Sequence, residues 1–134
     1  MEKRDYMMRQ VTLFGLVLAR ILAKLTGLKQ QEQTDFGMES VSEAFREELG
    51  IDLEELLHLE ENTLADTLKT KGFNNEDLSA LADILYHLFE NAPDNTWKKA
   101  LASRSLALYR YLETAEPSIH LDRYMKTETL KKYR

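Results

Sequence analysis

Apolar positions recur at helical spacing along most of this chain, and no stretch alternates as a half-buried strand would. The densest run is Val11–Leu25. At about 100° per residue, Val11, Phe14, Val17, Leu18, Ile21, Leu22 and Leu25 share one broad arc, with Thr12, Arg20 and Lys24 opposite. The pattern predicts an opening helix from Asp5 to Thr26, stopped by Gly27 in the position that favours a left-handed backbone. Leu13 and Leu16 fall beside Arg20 on the polar side, so this helix carries more apolar surface than one packing layer covers. Residues 28–35 have no apolar period and read as a flexible connecting loop.

The rest of the chain divides into shorter periodic segments. Ser40-x-x-Glu43 has the form of a capping box for a helix with Met38, Val41, Phe45 and Leu49 on one face, ended by Gly50. Asp52-x-x-Glu55 starts a short helix that turns Leu53, Leu56 and Leu57 inward, and a second short piece begins at Asn62 or Thr63 and ends at Gly72. Phe73 and Leu78 flank an Asn74 N-cap as a hydrophobic staple, and the stripe Leu78, Leu81, Leu85, Leu88, Phe89 follows as far as Asn91. After Pro93, Asp94 caps a helix with Trp97, Leu101, Leu108, Tyr111 and Leu112 on one face, closed by Pro117. A last helix starts at Ser118, with Ile119, Leu121 and Tyr124 as its apolar set, and its end, 127–134, is polar enough to fray.

Composition supports helices over strands. The 134 residues include only 5 glycines and 2 prolines, and Leu, Glu, Ala and Lys outnumber β-branched residues. The expected architecture is all-α, a single domain over 1–134 of about six or seven helices in antiparallel hairpins. The absence of cysteine removes disulfides, thiolate metal sites and a cysteine nucleophile. Arg9, Arg20 and Lys24 break the first apolar run well short of the ~18 residues a transmembrane segment needs. Glu2 and Asp5 dilute the basic start a signal peptide requires, so the cytoplasm is the favoured compartment.

Charge is segregated. The net charge of −5 combines +4 over residues 1–29, −14 over 30–95 and +5 over 96–134. Basic ends lying against an acidic middle account for this within the fold. A net negative chain without a binding motif argues against nucleic acid as a partner.

Few residues suggest chemistry. Glu55-x-x-His58 has the spacing of one half of a di-iron carboxylate motif, but it occurs once, in an acid-rich solvated stretch. Asp83 and His87 are one helical turn apart and read as a surface hydrogen bond rather than a base with its orienter. His120 has no nucleophile beside it. There is no phosphate loop, nucleophile elbow or zinc or calcium spacing, so no cofactor, metal or catalytic residue is assigned. Arg104 stands out, because it sits in the middle of the face formed by Trp97, Leu101, Leu108 and Tyr111, where a charge is costly unless paired. Its stem can pack on those rings while its head reaches water or an acid, or its head can hold a carboxylate in a groove.

Two resemblances accompany this reading. Lys3-Arg4-Asp5-Tyr6 with Arg9, followed by Leu18-Ala19-Arg20-Ile21-Leu22, resembles the start of a small bacterial all-helical family with no established activity. The segment 78–117 is similar to one tetratricopeptide-repeat unit, with Tyr109, Leu112 and Pro117 at the large, small and closing positions of its second helix. That similarity implies a repeat-like helix pair, in a bundle or a short array. The expected function is a non-enzymatic protein-interaction or adaptor module of a bacterial cytoplasm, self-associating or binding a protein partner, with Leu13, Leu16, Arg20 and Arg104 as contact residues. The alternatives are a small-ligand-binding protein or enzyme with a pocket near Arg104, Tyr109 and Tyr111, and a peripheral membrane protein anchored by its first helix.

Overall fold

The computed structural model describes residues 12–31, 37–92, 95–116 and 120–133. Among these residues there are seven α-helices and no strand: α1 Leu13–Gln31, α2 Met38–Ala44, α3 Leu53–Leu56, α4 Leu64–Thr70, α5 Asn75–Asn91, α6 Asn95–Ala115 and α7 Leu121–Lys131. The fold is all-α, as the periodicity requires. A π-helical turn, Phe45–Leu49, continues α2, and a 3₁₀ turn, Glu61–Thr63, keeps α3 and α4 apart. No helix among the described residues is long and apolar enough to cross a membrane.

The α5–α6 hairpin is the centre of the molecule. Leu78, Leu81, Leu85, Leu88 and Phe89 of α5 are buried, as are Leu101, Leu108 and Leu112 of α6. Lys98 lies over the Phe89 ring and the Ser105 hydroxyl donates to the Ala82 carbonyl at 2.9 Å, so the two helices run antiparallel. Along α7, Arg123 approaches Ser79, Lys126 approaches Asp83 and Tyr133 packs edge-on against Phe89, so α7 runs parallel to α5. Helix α6 also meets α4 and the 3₁₀ turn, while α1 covers α5 from another side. The densest apolar run of the sequence thus packs on one side of this hairpin. α1 buries Val17, Leu18, Ile21 and Leu25 and also touches the π-turn.

Local signals decide several boundaries as expected. The Asp52 carboxylate accepts from the Glu54 amide at 3.0 Å and caps α3. Asn74 and Asp77 form a full capping box on α5, and Phe73 is buried beside it. Gly50 (φ 69°) ends the π-turn. Gly72 (φ 113°) follows α4, where the Phe73 amide reaches back to the Leu68 carbonyl at 3.1 Å and the Gly72 amide to Lys69 at 3.0 Å.

Other boundaries differ. α1 passes through Gly27 to Gln31, because a glycine inside a helix costs only about 1 kcal/mol and the following residues are good helix formers. Residues 28–31 are thus helix rather than loop, and 32–35 lie outside the described residues, as do Asp5–Val11, Pro93, Asp94 and Pro117–Ile119. The second helix starts at Met38 behind Gly37, which puts Ser40 inside its first turn rather than at the N-cap; Met38 packs on the core and sets the earlier start. The end of the chain is helical to Lys131, with Thr127 and Leu130 buried, because α7 has a long surface of α5 and α6 to lie on.

Candidate functional site

The first half of helix α7 is inverted relative to its hydrophobicity. Leu121, Tyr124 and Met125 are 69%, 55% and 60% exposed, while Thr127 is buried and Arg123 and Lys126 are largely covered. The sequence pattern put Leu121 and Tyr124 inside. The cause is the surface α7 meets. Asp83 projects from α5 and Glu116 from just beyond α6, and two carboxylates at a helix contact must be matched by cations. Lys126 lies 3.4 Å from Asp83 and 3.1 Å from Asp122, Arg123 lies 3.9 Å from Glu116, and the Lys126 ammonium sits 5.3 Å from the Tyr86 ring centroid. Turning these cations inward buries their aliphatic stems and forces Leu121, Tyr124 and Met125 out, while Leu130, further along the inner side, stays buried.

Tyr109 of α6 completes this cluster, its hydroxyl donating to Asp83 Oδ1 at 2.5 Å. Burial, followed by the charge and hydrogen bond of Asp83, raises the Tyr109 pKa far above the usual tyrosine range. Burial alone lowers the Lys126 pKa, but Asp83 and Asp122 together outweigh it and the net shift is upward. Both shifts stabilise the fold with the phenol neutral and the amine charged. That contribution is complete below the unfolded pKa values near 10 and disappears as pH rises through the folded ones. In an alkaline titration, the last of the 6 tyrosines is therefore expected to ionise only together with the loss of helical circular dichroism. In Tyr109→Phe that late absorbance step is expected to vanish. Complete tyrosine ionisation with full helicity would contradict the buried bond.

A second exposed apolar strip lies on α1. Leu13 and Leu16 are 71% and 58% exposed, and the next residue on that side, the exposed Arg20, pairs with Glu48 of the π-turn. The ion pair joins the basic start of the chain to its acidic middle, and Lys126–Asp83 does the same for the basic end.

Arg104 belongs to neither strip. Its Nε and Nη2 both donate to the Leu59 carbonyl, at 3.1 and 2.8 Å, and its Nη1 donates to Ser103 Oγ at 2.7 Å. The guanidinium thus clamps the turn after α3 onto α6, and its principal partner is a main-chain carbonyl rather than an acid. It also lines a cavity of about 550 Å³ between that turn and the first half of α6, with Trp97 and Tyr133 among its walls. Tyr109 and Tyr111 are not among them: Tyr109 serves Asp83, and Tyr111 receives Lys69 of α4 at 5.4 Å from its ring centroid. The structure therefore separates the four contact residues expected from sequence. Leu13, Leu16 and Arg20 share a face of α1, and Arg104 sits in a cavity that no α1 residue lines.

The outward set on α7 was missed because periodicity identifies an apolar face without saying where it points. His58 Nδ1 lies 2.7 Å from the Glu54 carbonyl, which can only accept, so Nδ1 carries the proton there. Among the described residues no three His, Asp or Glu side chains gather as metal ligands. Compared with family models, curated proteins and solved structures, the chain matches none.

Proposed function

We propose that this protein is a non-enzymatic interaction module that self-associates through the outward apolar faces of α1 and α7. The observation that carries the reading is that five large apolar side chains, Leu13, Leu16, Leu121, Tyr124 and Met125, stand 55–71% exposed although the hairpin beneath them is well packed. On α7 the three lie within five consecutive positions, too close together to be scattered surface residues. Two or three large apolar side chains on each face make a small contact patch, so the association is weak and depends on concentration. In this reading the α5–α6 hairpin is a tetratricopeptide-like helix pair that displays α1 and α7, and the module acts as an adaptor in a bacterial cytoplasm.

Light scattering on a size-exclusion column tests the reading. The wild type is expected to gain mass with concentration. Leu13→Glu with Leu16→Glu, and separately Tyr124→Glu with Met125→Glu, are expected to remain folded and shift towards monomer. A wild type that stays strictly monomeric over the whole concentration range overturns self-association.

A further inference from the structure

The cavity beside Arg104 has a composition that selects a particular class of small molecule, independently of any contact through α1 and α7. Its apolar wall is formed by Leu57, Trp97, Ala100 and Tyr133. Its polar lining carries both signs: Arg104 and Lys99 stand on α6, and Glu54, His58 and Glu61 on the segment facing it. At about 550 Å³ it falls within the ~300–1,000 Å³ of small-ligand clefts.

Arg104 has donors to spare. A guanidinium has five N–H groups, and three hydrogen bonds are made here, two to the Leu59 carbonyl and one to Ser103. One N–H on each Nη remains. Because the bonds already formed fix the guanidinium plane, a further acceptor reached by these N–H groups would be held with little additional loss of side-chain entropy. A simple anion in this cavity would gain Arg104 but also meet Glu54 and Glu61. A simple cation would gain the two acids but meet Arg104 and Lys99. A molecule carrying both charges, with a flat apolar body for the Trp97 and Tyr133 side, complements a lining that holds both signs beside two aromatic rings.

We infer that the cavity between the turn after α3 and α6 is a binding site for a free aromatic α-amino acid. Its carboxylate is held by Arg104, its ammonium faces Glu54 and Glu61, and its ring lies against Trp97 and Tyr133. Trp97 is the only tryptophan of the chain, so its fluorescence reports occupancy without a label.

The test titrates the full-length protein with L-phenylalanine, 3-phenylpropionate, which lacks the amine, and phenethylamine, which lacks the carboxylate. L-Phenylalanine is expected to change Trp97 emission saturably, in the millimolar range or below, and each half-molecule to bind about tenfold more weakly. Arg104→Lys keeps the charge and loses the fork, and is expected to weaken L-phenylalanine binding about tenfold. Ala100→Leu fills the cavity without removing a hydrogen bond and is expected to abolish binding in a protein with unchanged circular dichroism. It keeps the test open if Arg104→Lys disturbs the turn. No saturable response to L-phenylalanine, equal binding of the three compounds, or wild-type binding by Ala100→Leu overturns the assignment.

Discussion

Asp77→Ala is expected to lower the stability of the fold by about 2–4 kcal/mol, with a fall in melting temperature of roughly 10 °C. The Asp77 side chain is buried, yet every contact it makes suits a carboxylate. Its Oδ2 accepts from the Asn74 amide at 3.0 Å, and both of its oxygens lie 3.0 Å from the Thr12 hydroxyl, which donates to them. Thr12 Oγ1 in turn accepts from the Gly15 amide at 2.8 Å, and Asn74 Oδ1 from the Asp77 amide at 2.8 Å. One acid therefore links the N-terminal ends of α1 and α5, two helices 65 residues apart in sequence at this contact, and it faces the positive end of both. Alanine would take the acceptor from two partly buried donors, and the loss of the cap adds to that cost. Asp77→Asn keeps an acceptor and loses the charge, so an intermediate loss is expected.

Gly15 explains why the two helices can come so close. A Cβ there would stand 2.9 Å from Asp77 Oδ1 and 3.2 Å from Thr12 Oγ1. Gly15→Ala is thus expected to destabilise, although alanine is the better helix former by about 1 kcal/mol. Chemical denaturation of the three variants checks the set. A stabilised Gly15→Ala, or an Asp77→Ala within ~0.5 kcal/mol of wild type, would show that this junction does not hold the helices together.

The second large effect is an inversion of the usual rule for helices. Lys126→Glu is expected to cost about 2–4 kcal/mol and to loosen α7, whereas Leu121→Gln, Tyr124→Gln and Met125→Gln are each expected to stay within ~0.5 kcal/mol. Glutamate at 126 would meet Asp83 and Asp122 where the ammonium now satisfies both, and would leave the Tyr109–Asp83 bond beside a repelling charge. Glutamine at the three outward positions removes apolar surface that water already touches. Hydrogen exchange of the α7 amides together with global unfolding separates local loosening from overall loss. If the glutamine variants destabilise and Lys126→Glu does not, the apolar side of α7 is the buried one.

Features that depend on neighbours within about one helical turn are legible in the sequence. The Asn74 cap, the Asp52 cap, the left-handed Gly50 and Gly72, and the stripe from Leu78 to Phe89 all act through short-range geometry, and each reads directly from residue type and spacing. The helical class follows from the same local terms. Tertiary structure alone decided how helices with more than one plausible inner face are turned. On α7 both an apolar and a cationic set recur at helical spacing, and the carboxylates of Asp83, 43 residues from Lys126, and Glu116, across the turn before α7, select the cationic one. Arg104 is a similar case, since the Leu59 carbonyl it clamps lies 45 residues earlier and belongs to the main chain, which no side-chain pattern reveals. The contact of Thr12 with Asp77 is equally remote. Such pairings are fixed by the requirement that buried polar groups find partners, and that requirement can be evaluated only once the helices are docked.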